Sequence, residues 1–83
     1  MDAYVLVTVD PGKTKPAVQT LNAIPKVFAT EVFGPYDIVV KIERPSTSEI
    51  VSVVQNQIRS IPGVTASITC MSMEERAALQ RAA

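Results

Sequence analysis

Apolar residues recur along this chain in two rhythms, and together these outline six elements. Ala3-Tyr4-Val5-Leu6-Val7-Thr8-Val9 is apolar at nearly every position, the pattern of a strand covered on both faces and so central in a sheet. Asp10-Pro11-Gly12 ends it as a turn. Thr14 is placed to cap a helix whose first turn tolerates Pro16. Ala17, Val18, Leu21 and Ile24 then recur at helical spacing until Pro25 stops the run. Residues 27–33 and 38–43 read as two further strands, with Ile38, Val40 and Ile42 sharing one face of the second. Ser46 and Glu49 have the spacing of a capping box. Behind them Ile50, Val53, Val54, Gln57, Ile58 and Ile61 mark the clearest amphipathic helix, ended by Pro62-Gly63. Residues 64–71 form a last strand in which Thr65, Ser67 and Thr69 alternate with Ala66, Ile68 and Cys70. Residues 74–83 favour helix, with Glu74 and Glu75 early and Arg81 late, matching the helix dipole.

The order is β-α-β-β-α-β plus a tail. Ile24-Pro25-Lys26-Val27 returns as Ile61-Pro62-Gly63-Val64, each time between a helix and a strand. Two such halves predict an α+β, ferredoxin-like sandwich: a four-stranded antiparallel sheet with both helices on one face. Right-handed crossovers put strands one and three in the centre and two and four at the edges. The whole chain, 1–83, reads as one domain with its core at 3–73 and a helical tail at 74–83. The second sheet face is left uncovered, and Tyr4, Leu6, Phe28 and Val39 are candidates for one of the two faces. A second copy packed sheet to sheet is the simplest cover.

Size and charge narrow the function. With 83 residues the chain has little core of its own, yet 47% of it is hydrophobic, mostly Val, Ile and Ala; the surplus points to a partner. Eight basic and eight acidic residues leave no net charge and no basic stripe for nucleic acid. No run is long and apolar enough for a membrane span. One cysteine, Cys70, and no secretory signal pattern at the N-terminus fit a cytoplasmic setting. Cys70 itself reads as a small core residue.

Chemistry-bearing groups are sparse. Histidine is absent, which removes the commonest general base and metal ligand. No glycine-rich phosphate loop or Cys-x-x-Cys pair occurs, and no two carboxylates have a compelling acid–base spacing, so no enzyme, metal or cofactor is expected. Lys13 and Lys15 read as a solvated loop. What remains is Gly34-Pro35-Tyr36-Asp37, between two strands: a glycine free to take positive φ, a proline that presets the turn, a hydroxyl ring and a carboxylate. The plain reading is a solvated hairpin tip; the functional one is a wall for a small amine-bearing ligand.

These pieces together are more specific than each alone. The helix ending Ile24-Pro25-Lys26-Val27, the run from Val32-Phe33 through Gly34-Pro35-Tyr36-Asp37 into Ile38-Val39-Val40-Lys41-Ile42, and Ile61-Pro62-Gly63-Val64 followed by Ser67 and Thr69 resemble the Lrp/AsnC family. The match is to its ligand-binding half, the RAM domain, over about residues 3–73. The resemblance implies dimers that pack sheet to sheet and close into larger rings such as octamers or decamers. It implies an amino acid or related effector held between dimers. Gly34, Pro35, Tyr36 and Asp37 would form one wall, and Ser67 and Thr69 would add hydroxyls. Full-length regulators of the family carry a helix-turn-helix; this chain resembles the stand-alone version without it. Its expected role is regulation of amino acid metabolism or transcription without direct DNA contact. The alternatives are an adaptor that joins a full-length regulator without binding a ligand, and a small enzyme of the dimeric ferredoxin-like barrel type.

Overall fold

The structure, a computed structural model, describes residues 1–73. Six of its segments match the predicted elements in type and order: β1 (Asp2–Val9), α1 (Thr14–Asn22), β2 (Val27–Glu31), β3 (Ile38–Glu43), α2 (Thr47–Val53) and β4 (Val64–Met71). A π-helical turn, Val54–Ile58, continues α2. The tail expected over 74–83 lies outside the described residues.

The four strands form one antiparallel sheet in the order β2-β3-β1-β4, the ferredoxin-like topology. Register decides the faces, because side chains alternate along each strand. Ala3, Val5, Val7 and Val9 of β1 and Ile38, Val40 and Ile42 of β3 point to the helices and are buried. Leu21 of α1, Ile50 and Val53 of α2, and Ile58 beyond it close over them as a single core. Tyr4, Leu6, Phe28 and Val39 all fall on the opposite face, as the registers Tyr4↔Lys41, Leu6↔Val39 and Phe28↔Lys41 require. Among the described residues β1 is therefore covered on only one side, not on both as its continuous apolar run predicts. Cys70 pairs with Tyr4 and is exposed on the open face, not in the core. Its side chain shares the Tyr4 face, which points away from the helices.

Two local expectations need correcting. Thr14 is the first helical residue of α1 and Lys13 holds the cap position, with no side-chain cap bond. At α2 the cap forms: Ser46 Oγ accepts from the Glu49 amide at 3.3 Å. The Glu49 carboxylate accepts from that hydroxyl at 3.2 Å, rather than from the backbone amide of a full capping box.

The repeated tetrapeptide makes the same turn twice. The Val27 amide donates to the Ile24 carbonyl and the Val64 amide to the Ile61 carbonyl, both at 3.2 Å. Proline second and a positive φ third is the type II pattern: Lys26 has φ 60 and Gly63 φ 92. The third carbonyl then accepts from the end of the neighbouring strand, Glu43 N–H to Lys26 O at 3.0 Å and Asp10 N–H to Gly63 O at 2.8 Å. The two halves differ in crowding. A Cβ on Gly63 would meet Lys13 Cβ at 2.6 Å, so the Lys13 stem lies where no side chain fits.

These turns are separable by mutation. Gly63→Ala is expected to destabilise by about 2–4 kcal/mol, from left-handed strain plus overpacking. Lys26→Gly is expected to be neutral or stabilising by up to about 1 kcal/mol, because it relieves the same strain. Urea denaturation midpoints check both.

Candidate functional site

The hairpin between β2 and β3 spans residues 32–37, longer than the turn read from sequence, because β2 stops at Glu31. Val32 N–H donates to the Asp37 carbonyl at 2.9 Å and closes it. The backbone of Asp37 continues β3 by donating to the Val7 carbonyl at 2.9 Å. Its carboxylate reaches further: Oδ2 accepts from the Val9 amide at 2.9 Å. β3 pairs with β1 only as far as Val7↔Ile38, so Val9 N–H has no strand partner on that side. Asp37 supplies the missing acceptor and ties the hairpin to the end of β1. Tyr36 and Asp37 are half-buried; Gly34 and Pro35 are exposed.

Gly34 does not use its conformational freedom. It has no positive φ, and a Cβ there would meet nothing within 4 Å. Sequence reasoning assigned it to turn geometry; the structure leaves its bare backbone facing open space. Beside it Phe33 is fully exposed and Val32 partly so, an apolar pair on the surface of the same loop.

Ser67 and Thr69 stand opposite Val7 and Val5 on β4, on the helix-side face beyond the cover of the helices. They are not joined to the hairpin. β1 lies between, so about two strand spacings, about 10 Å, separate β4 from β3. The Asp37 carboxylate reaches β1 at Val9, on the side of that strand facing β3, and Ser67 lies beyond its other side, on β4.

The described surface is indented at both ends of the sheet. One depression, of about 390 Å³, is lined by Arg59, Val64, Thr65, Ala66 and Ser67. Thr65 Oγ1 donates to the Thr8 carbonyl at 3.1 Å there, where a β-bulge shifts the register between Thr8 and Val9. The sequence reading missed Arg59 and Thr65; the signal was the internal repeat, extended upstream. The other depression, of about 650 Å³, lies at the opposite end of the sheet by Lys26, Glu43 and Arg44, and none of the predicted site residues lines it.

The open face of the sheet is a second apolar surface. Tyr4 (43% exposed), Phe28 (51%) and Ile68 (48%) lie on it, with Leu6 and Val39 between. Lys41 stands on this face between Tyr4 and Phe28, 3.2 Å from Glu43 and 4.0 Å from Asp2.

This geometry can be set beside known proteins. The Lrp/AsnC ligand binding domain matches residues 2–80, nearly the full length. The chain belongs to that family. Among curated protein sequences none matches this Lrp/AsnC domain. A hypothetical protein from Pyrococcus horikoshii is 28% identical with a TM-score of 0.82; 90% of this domain and 92% of that chain are covered. Escherichia coli AsnC has a TM-score of 0.82 at 18% identity, over 90% of this domain and 52% of that chain. A transcriptional regulator from Neisseria meningitidis, solved as a complex with L-Met, has a TM-score of 0.78 at 14% identity, over 90% and 51%. The last two likenesses are of fold alone.

The Asp37 contact is testable directly. Asp37→Ala should cost about 1–3 kcal/mol by leaving Val9 N–H unpaired, and Asp37→Asn, which keeps an acceptor, should cost less. Urea denaturation reads the loss, and faster hydrogen exchange at the Val9 amide localises it.

Proposed function

We propose that this Lrp/AsnC domain binds a free amino acid or a related small effector and couples binding to self-assembly. The observation that carries this is the family match over residues 2–80. The L-Met complex of the Neisseria regulator supports the ligand class. Within the chain, Gly34, Pro35, Tyr36 and Asp37 are the wall for the ligand's polar end, and Ser67 and Thr69 are the hydroxyls. An ammonium group wants carboxylate and carbonyl acceptors; a carboxylate wants amides and hydroxyls. The two sets stand on the strands that flank β1, and residues from a second copy complete the site. The domain acts by binding and assembly rather than by catalysis, and it regulates amino acid metabolism or transcription.

Assembly uses the open sheet face. Tyr4, Leu6, Phe28, Val39 and Ile68 form an apolar stripe in a chain too small to leave it wet. A two-fold axis lays one stripe on another, and the resulting dimers associate into rings. An effector shifts that equilibrium only by its difference in affinity for the two assemblies.

The test is light scattering behind size exclusion, with thermal unfolding, in the presence of each of the twenty L-amino acids. A stabilising amino acid that also changes particle mass supports the proposal. Assembly unaffected by any of them would leave an assembly adaptor instead. Gly34→Val should leave stability within about 0.5 kcal/mol, as an exposed position with free space, while abolishing that ligand response by filling the approach to the backbone. Separately, Phe28→Lys or Ile68→Lys should convert the dimer to monomer in the same light-scattering measurement, with the α/β circular dichroism spectrum retained.

A further inference from the structure

The internal repeat reaches further than its tetrapeptide. The offset that carries Ile24 onto Ile61 and Val27 onto Val64 carries Asn22 onto Arg59. Both residues stand at the end of a helical segment, just before the type II turn that feeds an edge strand. What they do there differs. The Asn22 carboxamide closes on the edge of β2: Nδ2 donates to the Ala29 carbonyl at 3.1 Å and Oδ1 accepts from the Ala29 amide at 2.8 Å. It takes the place of a neighbouring strand. Arg59 occupies the corresponding place beside β4, but a guanidinium only donates and cannot take an amide's hydrogen. Instead of a closed clamp there is the depression of about 390 Å³ between Arg59 and Val64–Ser67.

We propose that this depression is a carboxylate subsite with Arg59 as its anchor. The proposal rests on the effector-binding reading above and names the part of the ligand it takes. Three features converge. Among the described residues Arg59 is the only formal charge lining the depression, and it makes no ion pair or side-chain hydrogen bond with any of them. Ser67 in the same lining offers a hydroxyl donor, while Thr65 has its own proton turned to Thr8 O. The π-helical turn sets the place of Arg59, whose amide reaches back to the Val54 carbonyl at 3.0 Å; such one-turn expansions recur at binding sites. A carboxylate supplies what the first half of the repeat carries in Asn22 and the second lacks: an acceptor, here for the guanidinium fork and the Ser67 hydroxyl together.

Calorimetric titration tests this with whichever of the twenty L-amino acids binds, and with its α-amide. The acid should bind about 10- to 100-fold more tightly than the amide, and Arg59→Gln should erase that discrimination. Arg59→Lys, which keeps the charge but not the fork, should restore only part. Equal binding of acid and amide, or an Arg59→Gln protein that still discriminates, would overturn the subsite. A second arm separates this from the parent reading. The Arg59 Nε–H resonance is followed by NMR while sodium propionate replaces sodium chloride, with Arg44 as the internal control. A saturable shift at Arg59 alone supports the subsite even if no amino acid binds. If neither propionate nor any amino acid moves it, the subsite is overturned.

Discussion

β1 is bonded along both edges, to β3 on one side and β4 on the other, and its alternation decides what every neighbour shows to the helices and what it shows away from them. Ala3, Val5, Val7 and Val9 hold the core; Tyr4, Leu6 and Thr8 hold the opposite face. A slip of one residue would exchange the two sets and put a tyrosine into the core. Two devices fix the register at the Val9 end, where the regular ladder gives out. On one side the Asp37 carboxylate caps Val9. On the other, the bulge is held by Thr65 on the Thr8 carbonyl. The residues assigned to ligand contact thus sit where the strand itself needs help. That explains why a turn carboxylate here serves the fold whatever else it serves.

The pseudo-two-fold relation between the halves organises the rest. Each half ends its helical segment in the same proline turn, gives that turn's third carbonyl to the neighbouring strand, and launches an edge strand. The departures from symmetry are where chemistry collects: lysine against glycine at the left-handed position, asparagine against arginine at the helix end, and a bulge on one edge only. An exact repeat would have closed both edges alike and left no depression.

Much of the fold was legible because it is written in periodicities. The alternation of Ile38, Val40 and Ile42 and the spacing of Ile50, Val53, Val54, Ile58 and Ile61 each name a buried face. The shared face of Tyr4, Leu6, Phe28 and Val39 was also readable, but not which side it was, since all four are as apolar as their inward neighbours. Cys70 misled for the same reason: composition puts a small sulfur residue inside, and only the register Tyr4↔Cys70 shows that it faces away from the helices. Of the candidate site, the turn was visible as a cluster. Its division from Ser67 and Thr69 by a whole strand follows from the sheet order that the right-handed crossovers predict, with strand one between strands three and four; the reach of the Asp37 carboxylate to Val9 does not, because it depends on where the β3–β1 ladder ends. Asn22 and Arg59 carried no local signal, as polar residues at a helix end are ordinary. They gain meaning only when the repeat is extended past its apolar part.

Asn22 has one more consequence. Growth of a sheet from copy to copy needs two free edges, one to receive and one to offer. In this domain the β2 edge is occupied at Ala29 by the chain's own carboxamide, while the longer β4 edge carries neither proline nor charge. Head-to-tail addition of β2 onto β4 is therefore blocked. The one pairing left, β4 against β4, is its own mirror under a two-fold axis and ends after a single event. One side-chain amide thus fills, at Ala29, the edge on which such a ribbon would have to grow.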